Sequence, residues 1–209
     1  MSRTLLVLAH PRSDSLSAAV ADRTRRLLEA DGGSVDLLDL YAEGFDPRMT
    51  PVDEPDWKNR EKEYSPEVHA HMERMEAADD VIVVFPVWWF APPAILKGWI
   101  DRVWNYGFAY GRSKPRLAGK GILWLPLNGE AGNSALTDAL VVQLRSGISE
   151  FCGFSHAEVR VLYGTELSGC AEDERETRAK EVFAEAESAV TAFAARTREP
   201  AAAPASASA

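Results

Sequence analysis

Hydrophobic positions follow two patterns along the chain, short apolar runs and longer stretches with helical spacing. Buried parallel strands are typically continuous runs rich in β-branched residues, and runs of this kind predict strands at 3–9, 34–40, 81–85, 120–127 and 156–163. Helical spacing predicts helices at 15–30, 66–78, 92–104, 134–151 and 171–198. Five strands that alternate with five helices predict an α/β fold built on a doubly wound parallel sheet.

The stretch 81–111 combines a buried strand, an aromatic loop and an apolar helix. Pro86 is expected to stop the strand, and Pro92 with Pro93 is expected to open the helix. In open α/β sheets, ligands bind beyond the carboxyl ends of the strands. The aromatic loop between Pro86 and Pro92 therefore predicts a site for a flat aromatic ligand, the alternative being that its rings are simply core.

The helix of this stretch has a wide apolar face. Its apolar positions are Ile95, Leu96, Trp99, Ile100, Val103 and Trp104. This is more apolar surface than packing on a sheet requires, and large exposed apolar patches mark interfaces. A homodimer through this helix is therefore expected.

The loop after the first strand leads into a predicted helix N-terminus and contains three serines and Arg12. Free N–H groups at a helix N-terminus favour an anion. The loop lacks the GxxxxGK and GxGxxG patterns, so a nucleoside triphosphate or a Rossmann dinucleotide is not indicated. Two alternatives stay open: Ser13 or Asp14 merely caps the helix, and His10 is either a phosphate contact or a structural residue.

The whole-chain numbers narrow the class of protein. A length of 209 residues suits one domain, predicted over 1–198, followed by a disordered Ala/Pro/Ser tail at 199–209. The net charge of −9 argues against nucleic acid as a partner. The lack of an apolar run of about 20 residues and of signal-peptide features predicts no membrane insertion and a cytoplasmic location. No metal site and no pair of nucleophile and base stands out, so no catalytic residue is assigned.

Three motifs together resemble the NAD(P)H:quinone oxidoreductases of the flavodoxin-like superfamily, which include the DT-diaphorases and reductases that assist potassium-efflux systems. They are Ala-His-Pro with Ser-Leu-Ser at 9–17, the run from Phe85 to Trp104, and Gly-Phe-Ala-Tyr-Gly at 107–111. The resemblance extends from residue 3 to about residue 195. It implies a flavodoxin-like five-stranded sheet in the order 2-1-3-4-5, with helices on both faces.

The resemblance also implies a non-covalent flavin, with the choice between FMN and FAD left open, and NAD(P)H as co-substrate. The residues implied to bind the flavin phosphate are His10, Ser15, Leu16 and Ser17. Those implied to contact the isoalloxazine ring are Pro86, Val87, Trp88, Trp89 and Phe90 on one edge and Leu127, Asn128 and Gly129 on the other. A small aromatic or quinone acceptor would lie in a pocket lined by Trp89, Phe90 and Tyr110, and family members form homodimers whose sites borrow residues from both chains.

Two departures from the family pattern matter. Pro126-Leu-Asn-Gly stands where the family usually has Thr-Thr-Gly-Gly, so hydroxyl donors are lost. Between Glu130 and Phe151 there is no tyrosine or histidine to match the charge relay of the diaphorases. We therefore expect a ping-pong NAD(P)H:acceptor oxidoreductase without that relay. The alternatives are a flavodoxin-type electron carrier and a regulatory subunit that docks on a membrane transporter.

Overall fold

A single five-stranded sheet forms the centre of the molecule in the computed structural model, which describes residues 2–198. All four strand pairings are parallel and the order is β2-β1-β3-β4-β5. The strands are β1 (Arg3–Leu8), β2 (Ser34–Asp39), β3 (Asp80–Pro86), β4 (Gly121–Leu127) and β5 (His156–Val159). The predicted fold class and strand order are confirmed.

The helices cover both faces of this sheet. They are α1 (Leu16–Ala30), α2 (Pro66–Ala77), α3 (Ala94–Val103), α4 (Ala135–Val142), a π-helix (Gln143–Glu150) and α5 (Glu172–Arg198). Alternate residues of β3 face opposite sides, so Val83 packs with α2 and α3 whereas Val84 packs with α1 and α5. This alternation explains why the strand reads as an unbroken apolar run.

The helix predicted at 134–151 is one α-helix that continues as a π-helix. The hydroxyl of Ser149 donates to the carbonyl of Leu144, five residues earlier, at 2.7 Å. The indole of Trp124 in β4 donates to the same hydroxyl at 2.9 Å. These two buried bonds join the sheet to the wider turn, which periodicity alone could not reveal.

Three predicted boundaries are corrected. Pro86 does not stop β3 but is its last residue. Pro93 is the N-cap of α3, which begins at Ala94. β5 ends at Val159, although the chain stays beside β4 through a bridge between Leu162 and Leu127.

Residues 46–65, called the covering segment here, lie over α3 without forming a helix or strand. Pro47 approaches α3 so closely that a Cβ on Gly98 would clash with its backbone. All six apolar positions of α3 and its end are buried within this one chain. The predicted surplus of exposed apolar surface on α3 is therefore wrong, because the covering segment takes up that surface.

No helix among residues 2–198 is long and apolar enough to cross a membrane. The predicted disordered tail, 199–209, lies outside the described residues.

Candidate active site

Three loops meet at the carboxyl edge of the sheet. The N–H of Ala9 donates to Val84 at 3.1 Å, which joins the ends of β1 and β3. The N–H of Val87 donates to Leu127 at 2.8 Å, which joins the ends of β3 and β4. The fold therefore brings together the loop after β1 and the aromatic loop, which are the first two predicted site segments.

The loop after β1 ends at the N-terminus of α1, where Ser15 is the N-cap. The hydroxyl oxygen of Ser15 accepts from the N–H of Ala18 at 3.1 Å. The alternative that Ser13 or Asp14 caps the helix is wrong, and both of those residues are exposed. The N–H groups of Leu16 and Ser17 have no carbonyl within the helix to donate to, so they are free for an anion by helix geometry.

His10 lies on the loop after β1, on the side that faces the aromatic loop. Its ring centroid is 6.2 Å from that of Trp88. Burial lowers the pKa of His10 below its ordinary value, and it outweighs the opposing effect of the bond that a protonated Nδ1 would donate to the carbonyl of Arg12, 3.2 Å away. In the neutral ring Nδ1 accepts from the Arg12 N–H at 3.0 Å, which puts the proton on Nε2 and leaves Nε2–H as a donor.

Arg12 and Asp14 form an exposed ion pair, with Nε and Oδ1 separated by 3.6 Å. Both side chains are mostly in solvent. The negative charge of Asp14 is thus balanced at the entrance of the loop, and the helix N-terminus keeps its preference for an anion.

The aromatic loop makes a tight turn under backbone strain. Trp88 and Ala91 exchange two backbone hydrogen bonds of 3.1 Å each. Between them, Trp89 has φ 52° and Phe90 has φ 56°. Two successive positive φ angles define a turn that usually holds Asn-Gly or Gly-Gly, and each non-glycine residue there costs about 1–2 kcal/mol. Strain of this kind collects at functional sites.

The same turn presents rather than buries its aromatic side chains. Trp89 is 96% exposed and Trp88 is 43% exposed. The alternative that the three aromatics are simply core is therefore wrong. The N–H groups of Trp89 and Phe90 take no part in the two bonds of the turn, so the turn can offer them to a ligand.

The loop after β4 contributes less than its sequence suggests. Leu127 is buried in the core, and the amide Nδ2 of Asn128 faces Thr137 Oγ1 at 3.3 Å. The amide Oδ1 of Asn128 accepts from the N–H of Glu130 at 3.2 Å. The side chain of Asn128 therefore holds the loop, and only Gly129 of the three predicted contacts is exposed.

Tyr110 belongs to a separate aromatic cluster. Its ring centroid lies 5.7 Å from Tyr106 and 5.5 Å from Phe151. Burial raises the pKa of Tyr110, and a hydrogen-bond interaction with Trp57 opposes that shift. Within residues 2–198, no direct ring contact joins this cluster to Trp88, Trp89 or Phe90, and the pocket of Trp89, Phe90 and Tyr110 stays a prediction.

Sequence reasoning missed three aromatic residues near these groups. Trp57 is 69% exposed on the covering segment, and Phe151 is 64% exposed after the π-helix. Tyr163 follows β5, and its hydroxyl donates to Asn133 Oδ1 at 2.9 Å. Burial raises the pKa of Tyr163, and the charge of Asp138 raises it further. In the sequence, the one signal for Trp57 is a tryptophan within an otherwise polar segment. Nothing in the sequence pairs Tyr163 with Asn133.

The described part of the chain holds no group of three or more His, Cys, Asp or Glu side chains that could bind a metal ion. The donors at the carboxyl edge are instead a helix N-terminus, a histidine N–H and a strained turn with exposed indoles. This arrangement suits a ligand with a phosphate at one end and a flat ring at the other. A doubly wound sheet with such an edge defines a flavodoxin-like protein.

The chain belongs to the flavodoxin-like fold family, whose sequence profile matches residues 2–188. An uncharacterised NAD(P)H oxidoreductase of Escherichia coli K12, YcaK, is 42% identical over 166 residues, which are 78% of this chain and 84% of the relative. NAD(P)H dehydrogenase (quinone) 1 of Rattus norvegicus is 34% identical over 187 residues, 77% of this chain and 68% of the relative. The resemblance to NAD(P)H:quinone oxidoreductases is confirmed.

Solved structures agree with the fold. An NAD(P)H:quinone oxidoreductase from Methanothermobacter marburgensis has a TM-score of 0.78 at 21% identity, with 89% of this chain and 96% of that chain covered. An FMN-dependent NADH-azoreductase from Bacillus anthracis, solved in complex with FMN, has a TM-score of 0.68 at 18% identity, with 92% and 99% covered. At these identities the likeness concerns the fold alone.

Proposed function

We propose that the protein is a flavin-dependent NAD(P)H:acceptor oxidoreductase that acts on quinone-like or other small aromatic acceptors. The observation that carries the proposal is the strained turn at Trp89 and Phe90, held beside the N-terminus of α1. Strain of about 1–2 kcal/mol per residue persists where a binding site needs that conformation. The names of the relatives, which describe NAD(P)H oxidoreductases and quinone dehydrogenases, support the same activity.

The residues at the carboxyl edge fit both ends of a flavin mononucleotide. The N–H groups of Leu16 and Ser17 would bind its phosphate, with Nε2–H of His10 beside them. The N–H groups of Trp89 and Phe90 would meet the ring, where donors stabilise the negative charge of the reduced form. A flavin held by these residues would supply two-electron transfer from NAD(P)H to the acceptor.

FMN is the flavin that we favour. The adenine half of FAD needs contacts beyond those of FMN, and the covering segment is one candidate to supply them. It is instead committed to α3, through Pro47 against Gly98 and through a buried ion pair between Asp53 and Arg102. FAD stays the second candidate, and the mass of the extracted cofactor distinguishes the two.

A homodimer remains part of the proposal, but on different grounds from the apolar face of α3. The family resemblance supports it, because that resemblance implies sites that borrow residues from both chains. Trp57, Trp89 and Phe151 expose large apolar surfaces that such an assembly would cover. Light scattering at micromolar concentration should give the mass of two chains, and a monomer mass would contradict the dimer.

The function is tested on the purified protein, which should retain a non-covalent flavin and oxidise NAD(P)H in the presence of a quinone. We place this activity in the cytoplasm. A protein that binds flavin but exchanges electrons only with another protein would be a carrier. A protein that copurifies with a transporter and shows negligible turnover would be a regulatory subunit.

A further inference from the structure

A buried ion pair joins the covering segment to α3. Arg102 is 3% exposed and Asp53 is 0% exposed, and Nη2 of Arg102 lies 2.7 Å from Oδ2 of Asp53. Asp53 also accepts from the N–H of Ser65 at 2.8 Å and from the hydroxyl of Thr50 at 3.0 Å. A buried charge costs free energy unless it is paired, and the carboxylate of Asp53 is paired with Arg102 and accepts further hydrogen bonds. Burial alone would raise the pKa of Asp53, but these donors hold it below its usual value.

Asn105 extends this cluster to the loop of residues 106–111, called the tyrosine loop here because it carries Tyr106 and Tyr110. Asn105 is buried, and its Nδ2 donates to the carbonyl of Asp53 at 2.6 Å. Its Oδ1 accepts from the N–H of Tyr106 at 2.8 Å. One amide therefore bonds the covering segment on one side and the tyrosine loop on the other.

Two further contacts join the same pair of segments. The hydroxyl of Tyr64 donates to the carbonyl of Tyr106 at 2.7 Å. Gly107 has φ 85° and lies against the carbonyl of Arg60, where a Cβ would clash. The start of the tyrosine loop is thus bound to the covering segment at three points: through Asn105, Tyr64 and Gly107.

These contacts set the relation between Trp57 and Tyr110. Trp57 projects from the covering segment, and its indole is close enough to the Tyr110 hydroxyl to influence the pKa of that group. The ring of Tyr110 also contacts Phe151, with the centroids 5.5 Å apart, and both Trp57 and Phe151 are mostly exposed. The mutual placement of Trp57 and Tyr110 depends on how the two segments that carry them are joined.

We propose that Asn105 is a positioning residue, which through Asp53 and Tyr106 holds Trp57 and Tyr110 in register as one aromatic surface for the acceptor. Trp57 then helps to determine acceptor specificity. This inference rests on the proposed function, because it concerns the acceptor of that same reaction. It assigns a role to the covering segment beyond packing on α3.

The test compares Asn105→Ala with Asn59→Ala in the full-length, flavin-loaded protein. Asn59 lies on the covering segment, but it is exposed and its Oδ1 accepts only a local bond from the N–H of Glu61. Amide hydrogen exchange is measured in peptides that cover the covering segment and the tyrosine loop. Loss of Asn105 should speed exchange about tenfold in both, since the carbonyl of Asp53 and the N–H of Tyr106 lose their partner. Asn59→Ala should leave both unchanged.

Kinetics then separate positioning from general loosening. Asn105→Ala should raise the KM for a quinone about threefold to tenfold, while flavin reduction at saturating NAD(P)H stays within about twofold. Trp57→Leu should raise the same KM, and it should add little in the Asn105→Ala background because both act on one surface. Equal exchange in the tyrosine loop of wild type and Asn105→Ala would overturn the coupling.

If Asn105→Ala does not fold, Tyr64→Phe tests the same link, since it removes one hydroxyl and keeps the ring. It should speed exchange in the tyrosine loop, and no change there would overturn the proposal. A protein whose exchange responds as expected but which never oxidises NAD(P)H would instead refute the proposed function. A changed exchange with an unchanged quinone KM would refute the acceptor role alone.

Discussion

Trp88 and Ala91 exchange two backbone hydrogen bonds of 3.1 Å across two residues in left-handed conformations. Turns of this kind usually contain glycine or asparagine, because a Cβ at positive φ is disfavoured. Here the central residues are Trp89 and Phe90. The chain therefore keeps a costly conformation at the edge where the flavin is proposed to bind.

Replacing Trp89 with glycine should release part of this strain. Trp89 is almost fully exposed, so its ring contributes little packing within one chain. We expect Trp89→Gly to be about 1 kcal/mol more stable to urea unfolding than Trp89→Ala. The alanine variant is the control, since it removes the same ring and keeps the Cβ. Equal stability of the two variants would show that the turn is not strained.

Ser15 should contribute both to the stability of the fold and to binding of the flavin phosphate. Ser15→Ala removes the N-cap of α1 and should cost about 1 kcal/mol in the free energy of unfolding. It should also weaken FMN binding several-fold, because the first turn of α1 loses its order. Ser13→Ala removes an exposed hydroxyl of the same loop and should change stability by less than about 0.5 kcal/mol. Urea unfolding and FMN titration of the apoprotein measure both effects.

His71 should make stability depend on pH. It is buried, and its Nδ1 accepts from the indole of Trp99 at 3.3 Å. Burial lowers the pKa of His71 below 6.5, and the charge of Arg74 lowers it further. As the pH falls below about 6.5, the unfolded chain gains a proton that the folded protein resists, so stability falls by up to about 1.4 kcal/mol per pH unit.

The control for this pH dependence is His71→Gln. It should be less stable at neutral pH, and its stability should fall less steeply between pH 6.5 and 5. Urea midpoints measured in that range decide the matter. Parallel curves for wild type and variant would assign the pH dependence to other groups.

Tyr110 should affect the acceptor and not the cofactor. Loss of one ring contact is worth about 0.5–1.5 kcal/mol, so Tyr110→Ala should raise the KM for a quinone roughly threefold to tenfold. Flavin occupancy and the rate of flavin reduction by NAD(P)H should change much less. A variant that lost its flavin would make Tyr110 a cofactor or folding residue.

The sheet could be predicted because it depends on local signals. The β-branched run from Val81 to Phe85 marks a buried strand wherever it occurs, and the strand order followed from the family resemblance. The cap at Ser15 lies one residue from Asp14 and two from Ser13, and sequence alone does not choose among the three because all of them suit that position.

The remaining features depend on contacts between distant segments. The burial of α3 requires Pro47 against Gly98, and the π-helix requires the bond from Trp124 to Ser149. The inward turn of Asn128 depends on Thr137, nine residues later. The left-handed turn at Trp89 contradicts local propensity, so no local rule could have predicted it.

The central claim is that this protein, with no partner enzyme, transfers electrons from NAD(P)H to a bound flavin. The most direct measurement is an anaerobic titration of the flavin-loaded protein with NADPH or NADH and no other protein present, followed by addition of a quinone. We expect the yellow colour to bleach with one equivalent of the nucleotide per flavin and to return with the quinone. A colourless protein that rejects both flavins, or a bound flavin that neither nucleotide reduces, would contradict the account.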